Sequence, residues 1–490
     1  MESVIIVGGG IAGISAGIFL QKKGIPSVIY EKNDRPGGVC YSFDEKNFHF
    51  DLCCRLLNGI ESGWRHKLML ETGAVFPGMK TESSPFEIYQ NEGESFRVEW
   101  NCASFRKLLN GLCSNEDSRR IDHFFDTVEK FYNLSQEERI RPFGLLSLRE
   151  KSEFLRKRKP YFDLYKKILP VPFEKWIAEW QSESVRKLWQ AIYPDNYSLF
   201  AFFAYAAARL YGNSGRPVGG SKALIRRLTE TYRNLGGRLE TGAAVDEIVI
   251  DKKRVVGVRL GKRFEAAPAV VAACDLSAAL TKLLHGQVKF KQAKTFLTHG
   301  DLVYPIITIC YGLSKRFGIP DMLFLEDDHG VDGSPDLTNR LIEIQSYESI
   351  PGAAPPGKSA VVVNLRCDWY FWKNLRERSE DAYRQYKLTV VNELNDCMER
   401  HFPGFTDAVE VTKVLTPLSY GKLSVLYKGA WRGFAPTALS IKHQIPHFVS
   451  SCKGLYFCGQ SVAVGGGIDA VTEDAYETVE YLLAKEKFIF

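Results

Sequence analysis

A run of three glycines at residues 8–10, placed directly after an apolar stretch, constrains this fold more than any other feature of the sequence. The preceding residues, SVIIV at 3–7, are β-branched and apolar, as expected for a strand that is buried on both faces. Apolar residues at helical spacing follow from Ile14 to Lys23, and Ser27–Tyr30 resembles a second strand. The sequence therefore predicts a strand, a glycine turn, a helix and a parallel strand at its start.

The glycine turn matches the spacing GxGxxG, formed here by Gly8, Gly10 and Gly13. In this pattern the first glycine permits a tight turn, the second lets a pyrophosphate approach the backbone, and the third lets the helix pack against the strand. The helix N-terminus then offers unpaired N–H groups to the phosphates. Glu31 ends the second strand, where a carboxylate accepts hydrogen bonds from a ribose diol. We predict a dinucleotide site.

Two further glycine motifs indicate a cofactor longer than NAD. Arg35–Gly38 reads RPGG, and its glycine pair would bring additional backbone N–H groups to a ligand that extends past the pyrophosphate, as FAD does. Gly454–Leu483 reads as a strand, a glycine-rich loop and a helix N-terminus, which would stabilise negative charge on a reduced flavin. Only one strand–GxGxxG–helix unit followed by an acidic residue is present, so we expect no separate NAD(P) domain.

These motifs, in this order, resemble the phytoene desaturase-related family of FAD oxidoreductases, which includes carotenoid desaturases, carotenoid isomerases and retinol saturases and is distantly related to amine oxidases. The opening segment GGGIAGISAGIFLQKKGIPSVIYEKNDRPGGVCYSF resembles the family's first motif. RPVGGSKAL at 216–224, AAVDEIVI at 243–250 and TPLSYGKLSVLYKGAWRG at 416–433 resemble its later ones. The resemblance covers the whole chain and is specific for fold and FAD rather than for substrate.

The resemblance implies a set of FAD-binding residues, with Val245 beside the adenine. Together with the glycine motifs these are Gly8, Gly10, Ile11, Ala12, Gly13, Glu31, Lys32, Gly37, Gly38, Val39, Val245, Gly459, Gln460, Gly467, Ile468 and Asp469. Phe457 precedes Cys458, whereas amine oxidases that link flavin covalently have glycines before the cysteine, so we expect non-covalent FAD. Many relatives have Arg where this chain has Val39, and Arg55 replaces a His or small residue, so a carotenoid substrate is not carried over.

We expect an α/β fold with two domains, because 490 residues exceed the size at which one core stops growing. The first is a Rossmann-like FAD domain of the glutathione reductase and amine oxidase type, which is discontinuous and formed by residues 1–76, 215–285 and 415–490. The second is a substrate domain of mixed sheet plus helices, formed by residues 77–214 and 286–414.

The composition and charge of the chain limit the kinds of partner and ligand that it is expected to bind. The net charge of +6 is too weak to indicate nucleic acid, and the sequence carries no feature that sets an oligomeric state. The 11 cysteines include no CxxC pair, so we predict reduced thiols and no metal site. No signal peptide precedes the first strand and no apolar run reaches the ~20 residues of a membrane span, so we expect a cytoplasmic protein.

A basic segment suggests a peripheral membrane contact. Residues 149–167 contain eight basic and three acidic side chains, a local charge of +5, and residues 149–176 interleave cations with Phe, Leu, Ile and Trp. Such a stretch can lie on an anionic bilayer and admit a lipid-soluble substrate. The alternative is a solvated helix face whose other side lies in the core.

The chain carries no acid–base triad, paired carboxylates or metal cluster, which suits an enzyme whose flavin performs the chemistry. We expect dehydrogenation, saturation or isomerisation at a carbon–carbon bond of an apolar, polyene-like molecule. Alternatives are an amine oxidase-type reaction at a C–N bond and a non-catalytic lipid-binding protein similar to the dissociation inhibitors of small GTPases. The catalytic residues are unknown. Arg55 and Tyr205 are candidate polar groups in the pocket, and their alternatives are a salt-bridged Arg and a core Tyr.

Overall fold

The computed structural model describes residues 3–79, 86–91, 94–113, 115–137, 141–194 and 196–486. Within these ranges the strands are β1 (Val4–Val7), β2 (Ser27–Tyr30), β3 (Ser42–Glu45), β4 (Phe48–Asp51), β5 (Leu57–Asn58), β6 (Phe86–Asn91), β7 (Glu94–Glu99), β8 (Ser214–Gly215), β9 (Arg238–Glu240), β10 (Glu247–Asp251), β11 (Arg254–Leu260), β12 (Arg263–Ala266), β13 (Val270–Ala272), β14 (Ile306–Leu313), β15 (Met322–Ser334), β16 (Leu337–Ser346), β17 (Ser359–Arg366), β18 (Val409–Leu415) and β19 (Leu455–Phe457).

The α-helices of the same ranges are α1 (Ile11–Lys22), α2 (Gly63–Thr72), α3 (Cys102–Leu112), α4 (Ser118–Gln136), α5 (Leu148–Lys157), α6 (Lys159–Ile168), α7 (Phe173–Ile177), α8 (Glu183–Ile192), α9 (Leu199–Leu210), α10 (Gly220–Asn234), α11 (Leu276–Ala278), α12 (Lys291–His299), α13 (Trp369–Arg378), α14 (Glu380–His401), α15 (Phe405–Ala408), α16 (Pro417–Ser424), α17 (Ala438–Lys442) and α18 (Ile468–Lys485). Short 3₁₀ turns cover Asn115–Asp117, Phe143–Leu145 and Tyr427–Gly429, and a π turn covers Ala279–Leu283.

A parallel sheet of five strands in the order β19-β13-β1-β2-β9 forms the first layer. Its strands pair in parallel throughout, with Val4 opposite Ser27 and Ile5 opposite Val270. Both faces of β1 and β2 are buried, which explains their unbroken apolar character. Helix α1 packs between α10 and α18, so its residues Ile11–Leu20 are all buried. This sheet brings the carboxyl ends of β1, β2 and β13 to one edge, where a ligand site is expected.

A mixed sheet of seven strands, in the order β18-β14-β17-β16-β15-β6-β7, forms a second layer. All neighbouring pairs are antiparallel except β15 and β6, which run parallel. Helices α13 and α14 cover part of it, and their apolar side chains share a core with the sheet. A helical group around α4, α8 and α9 packs on another core rich in Phe and Trp. Three antiparallel strands, β10, β11 and β12, form a smaller sheet.

The α/β fold with a parallel sheet and a separate mixed sheet confirms the predicted class. Local bounds differ slightly: α1 begins at Ile11 rather than Ile14, because its first turn is formed by the glycine motif itself. The motif AAVDEIVI at 243–250 contains most of β10, which begins at Glu247. The division into residues 1–76, 215–285 and 415–490 against the rest stays a prediction. No helix within the described ranges has the length and apolar character needed to cross a bilayer.

Candidate functional site

One continuous cavity of about 1620 Å³ runs from the edge of the parallel sheet to the face of the mixed sheet. It is larger than the ~300–1,000 Å³ typical of a pocket for one drug-sized ligand. The glycine turn after β1 and the loop before α18 line one end, while β16, β17 and α9 line the other. The volume and the two kinds of wall fit a dinucleotide together with a second ligand.

The glycine turn at the first end has no room for a side chain at Gly8 or at Gly13. Gly8 has a φ of +112°, and a Cβ there would lie 2.9 Å from the carbonyl oxygen of Ala273, which directly follows the neighbouring strand β13. A Cβ on Gly13 would lie 2.0 Å from the carbonyl oxygen of Gly8. Gly13 therefore brings α1 against the turn, and it is the one predicted site residue that does not line the cavity.

The carboxylate of Glu31 is buried and held by the backbone. Its Oε2 accepts a hydrogen bond from Gly9 N at 2.7 Å, and its Oε1 accepts one from Asn33 N at 2.9 Å. Each oxygen retains a lone pair after these bonds. Since Glu31 lines the cavity at the end of β2, its carboxylate is oriented to accept bonds from a ribose diol.

The RPGG segment lies directly against the glycine turn. Gly37 N donates to Gly9 O at 2.8 Å, and Gly10 and Gly37 form an isolated parallel bridge. Gly37 and Gly38 have φ values of +128° and +60°, and a Cβ on Gly37 would meet the carbonyl oxygen of Cys40 at 2.9 Å. Gly37, Gly38 and the following Val39 all line the cavity, so the two glycine segments form one wall.

Two long helices begin at this wall without side-chain caps. Gly10 precedes α1 and Gly467 precedes α18, and neither helix has a capping side chain. The first N–H groups of a helix need acceptors and carry partial positive charge. Gly10, Ile11, Ala12, Gly467, Ile468 and Asp469 line the cavity. Both helix ends are therefore available to an anionic or carbonyl-bearing ligand.

Residues around the outer part of this end hold neighbouring loops together. Lys32 lines the cavity, but its Nζ also donates to the carbonyl oxygen of Lys422 at 2.8 Å, at the C-terminal end of α16. Burial lowers the pKa of Lys32. Val245 lines the cavity on a loop whose Ala243 N donates to Glu31 O at 2.8 Å. The expected adenine contact thus lies beside the expected ribose contact.

The loop before α18 joins a buried acidic cluster. Gly459 and Gln460 line the cavity, and Gly459 N donates to Asp474 Oδ2 at 2.7 Å. Burial raises the pKa of Asp474 to about 7. Asp469, predicted as a cofactor contact, is bound by Arg65, whose Nη1 lies 2.5 Å from Asp469 Oδ2. Its carboxylate therefore also has a structural role.

Arg55 and Tyr205, the two candidate pocket residues, both line the cavity. Arg55 forms an ion pair with Glu343 on β16, so its alternative as a salt-bridged arginine also applies. Tyr205 packs edge-to-face on Trp100 with ring centroids 5.6 Å apart, and its hydroxyl accepts a bond from Arg209 Nη1 at 2.9 Å. A catalytic role for either residue stays a prediction.

The far end of the cavity has an apolar arm. Helix α9 contributes small and aromatic side chains to this arm. Its segment FAFFAYAA places Ala and aromatic residues at helical spacing. The apolar residues that line this arm are Trp100, Phe131, Leu134, Ala191, Ile192, Phe200, Ala201, Ala204, Ala207, Ala208, Phe324 and Leu341. An elongated apolar ligand would bury its surface there.

Sequence reasoning missed six further arginines on the cavity wall: Arg65, Arg141, Arg209, Arg216, Arg366 and Arg432. Arg216 and Arg432 stand inside the motifs RPVGGSKAL and YKGAWRG, so their positions offered a signal. Arg366 ends β17, and no local pattern marks it.

A separate cluster lies away from the cavity. Asp327, Cys397 and His401 have ligand atoms within 4.8 Å of one another. Both oxygens of Asp327 already accept bonds from Arg400, at 2.8 and 3.0 Å from its Nη2. The Arg400 cation lowers the pKa of Asp327 to about 2. The carboxylate is committed to a structural ion pair, and this cluster does not favour a metal.

The residues at the first end fit FAD. Two uncapped helix ends would receive the pyrophosphate and the flavin, Glu31 would accept from the ribose, and the glycine pair leaves space for the ribityl chain. A covalent link through Cys458 would need a reactive thiol, whereas burial raises the pKa of this thiol well above its ordinary value. These contacts stay predictions at the level of single residues.

Comparison with known proteins agrees with this geometry. The family model of flavin-containing amine oxidoreductases matches residues 11–483. The chain is 23% identical to a lycopene-forming phytoene desaturase of Pseudescherichia vulneris, with 99% of each chain covered. It is 21% identical to an all-trans-retinol 13,14-reductase of Danio rerio, covering 96% of this chain and 84% of that protein. The predicted resemblance to the phytoene desaturase-related proteins is confirmed.

A solved structure shows the same fold. An oxidoreductase from Methanosarcina mazei superposes with a TM-score of 0.61 at 16% identity, covering 98% of this chain and 100% of the other.

Proposed function

This chain belongs to the flavin-containing amine oxidoreductase family and is an FAD-dependent oxidoreductase, and we propose that it acts at a carbon–carbon bond of an apolar polyene. The reaction would be dehydrogenation, saturation or isomerisation. The observation that carries the proposal is the continuity of the cavity, which joins the FAD end to an arm of apolar side chains. The names of the relatives, a phytoene desaturase and a retinol reductase, support the same substrate class.

Hydride transfer to or from the substrate is the chemistry that FAD supplies when it is bound. The protein's part is to bind, orient and exclude water. Glu31 and the glycine segments would fix the cofactor, while α9 and the Phe-rich helices around it would align an extended chain by shape and burial. No nucleophile or general base is required of the protein in this scheme.

A C–N bond of an amine is the second candidate, since the family is defined by amine oxidoreductases. The charges of the cavity argue against it. Arg55, Arg216, Arg366 and Arg432 all line the substrate side, and a protonated amine would be repelled by them. The alternative of a non-catalytic lipid-binding protein is disfavoured by membership in an oxidoreductase family.

Reduction and reoxidation of the purified protein test the proposal. We expect a yellow protein whose flavin is released by acid precipitation. Under anaerobic conditions, polyenes, retinoids and hydrophobic amines are added separately to the oxidised and to the reduced protein. Flavin absorbance is followed, and the products are identified by mass spectrometry. Turnover of a polyene at a C=C or C–C bond supports the proposal. Turnover of amines alone would replace it with the C–N reaction.

We also propose that α5 and α6 contact an anionic membrane near the cavity mouth. Helix α5 buries none of its side chains, and Leu148 is 87% exposed while Leu155 is 44% exposed. Phe154 of α5 and Tyr165 of α6 line the cavity, so a substrate dissolved in lipid would have a short path to it. Each Lys or Arg beside an anionic surface contributes about 1 kcal/mol.

Sedimentation with phosphatidylserine vesicles tests this contact. Replacement of Arg156, Lys157 and Lys159 by Gln should lower the bound fraction, whereas replacement of Lys252, Lys253 and Lys262 on the small sheet should not. Equal sedimentation of both variants and the unaltered protein would refute the contact without affecting the proposed reaction.

A further inference from the structure

Besides Arg209 of α9, four arginines line the substrate side of the cavity, and aromatic rings lie against them. Arg216 stacks on Tyr347, with its guanidinium carbon 4.4 Å from the ring centroid, and Arg366 stacks on Tyr304 at the same distance. Arg55 and Arg432 approach Trp431 at 5.7 and 5.6 Å. The four residues come from four separate parts of the chain, so their presence on one cavity wall is a feature of the tertiary fold.

Two of these arginines already have polar partners. Arg55 is paired with Glu343, and Arg432 donates through Nη2 to the carbonyl oxygen of Gly465 at 3.1 Å. Burial lowers the pKa of Arg55, and the nearby cation of Arg432 adds to this effect. Positive charge is therefore already in excess around Arg55.

The other two arginines have no such partner. Among the residues that the structure describes, neither Arg216 nor Arg366 has a carboxylate or a hydrogen-bond acceptor for its guanidinium. Arg216 is only 8% exposed. The acidic side chains on this part of the wall are Glu343, which binds Arg55, and Asp321, which accepts a bond from the Ser349 hydroxyl at 2.6 Å. Neither neutralises Arg216 or Arg366.

Arg366 is exposed, so the cost of enclosure falls on Arg216. A largely enclosed guanidinium without an acceptor is costly, and an anion that enters the cavity would remove the cost. Arginine is suited to a carboxylate, because its planar fork donates two parallel hydrogen bonds to the two oxygens. The apolar arm begins on the same cavity wall, at Leu341 of β16 and at α9. The cavity therefore offers an apolar channel for a chain and a cationic end for its terminus.

We propose that the substrate is an apolar chain that ends in a carboxylate, bound by Arg216 and Arg366 while the chain occupies the apolar arm. That this ligand is a substrate rests on the proposed function, whereas its binding to the two arginines does not. It names a subclass of apolar substrates, the polyene carboxylic acids, and it assigns two specificity-determining residues. Glu343 competes for the same cationic end by holding Arg55.

Binding of matched ligand pairs to the FAD-loaded protein tests the proposal. Retinoic acid, its methyl ester and retinol are compared by perturbation of the flavin spectrum, and palmitic acid and hexadecanol are compared by calorimetry. We expect the acids to bind more tightly than their neutral partners. Arg366→Gln and Arg216→Gln should each weaken the acids roughly 10- to 100-fold, as loss of a charge-assisted bond does, and leave the alcohols unchanged.

Three further variants provide controls. Arg259→Gln removes an arginine that pairs with Glu247 on the small sheet outside the cavity, and it should have no effect. Arg366→Lys keeps the charge but loses the fork, so it should restore part of the affinity. Glu343→Gln releases Arg55 and should tighten binding of the acids. The flavin spectrum of each variant without ligand reports whether the site is intact.

The outcomes separate the two proposals. Acids that bind in an arginine-dependent way support the carboxylate site even if no polyene is turned over, which would refute only the proposed reaction. Turnover of neutral polyenes with no preference for acids would refute the carboxylate site and leave the reaction standing. Acids that bind no more tightly than alcohols in both pairs, or binding that is unchanged in both Gln variants, would also overturn it.

Discussion

Replacement of Glu31 by Ala is the sharpest test of the cofactor site. The Glu31 side chain is 5% exposed, and its two oxygens accept bonds from Gly9 N and Asn33 N at 2.7 and 2.9 Å. Alanine removes the acceptor for the ribose diol, and it also loosens the turn because both N–H groups lose their partner. Loss of a charge-assisted hydrogen bond costs about 1.5–3 kcal/mol, which corresponds to a roughly 10- to 150-fold higher dissociation constant for FAD.

The assay is reconstitution of the deflavinated protein with FAD, followed by flavin fluorescence. Glu240→Ala is a matched control, because Glu240 ends the neighbouring strand β9 at the same edge but does not line the cavity. Thermal unfolding of the apoprotein measures the separate cost to the turn. An unchanged FAD affinity in a folded Glu31→Ala protein would refute the ribose contact and the reasoning that assigns it.

Three other substitutions address the helix contact, the acidic cluster and the apolar arm. Gly13→Ala places a Cβ 2.0 Å from the Gly8 carbonyl oxygen, so it should lower the free energy of unfolding by about 1–3 kcal/mol and reduce FAD retention. The control Gly111→Ala in α3 meets no atom within 4 Å and should not destabilise the protein. Thermal melts compare the two variants. Burial raises the pKa of Asp474 to about 7 in the folded protein from 3.8, so the unaltered protein loses stability as the pH rises between about 4 and 7. Asp474→Asn cannot ionise, and its stability relative to the unaltered protein should therefore increase over this range. Thermal melts of both proteins at pH 5 and 7.5 measure the difference. Ala204→Trp should fill part of the apolar arm and abolish polyene binding while flavin content stays unchanged, and retained polyene affinity would show that the arm is not the binding site.

Local chemistry made the cofactor end predictable from the sequence. The positions of Gly8 and Gly13 follow from steric limits within one turn. The position of Glu31 beside that turn follows from the lengths of α1 and β2, which connect the two. Those elements are neighbours in sequence, so their geometry depends on few residues. The parallel sheet and its helices were predicted for the same reason, because βαβ units have a strong preference in handedness and spacing.

The arginine-lined end was not predictable in this way. Arg216 follows β8, Arg366 ends β17 and Arg432 lies between α16 and α17, so their meeting depends on how two sheets are placed. No periodic pattern relates such residues. Likewise, the ion pair of Arg55 with Glu343 joins residues nearly 300 positions apart. Such pairings require the tertiary structure.

The order of strands in the parallel sheet has a consequence for biosynthesis. β13 needs β19 as its outer partner, and α18 must cover α1, although β19 and α18 are the last strand and the last helix of the described chain. At ~5–20 residues per second, roughly 20–90 s pass between translation of β1 and of β19. Until then β13 presents an unpaired edge, which is prone to join other chains. FAD can therefore be captured only after translation of the final helix, and ribosome-bound chains stalled before residue 455 should be colourless and should depend on chaperones to stay unaggregated.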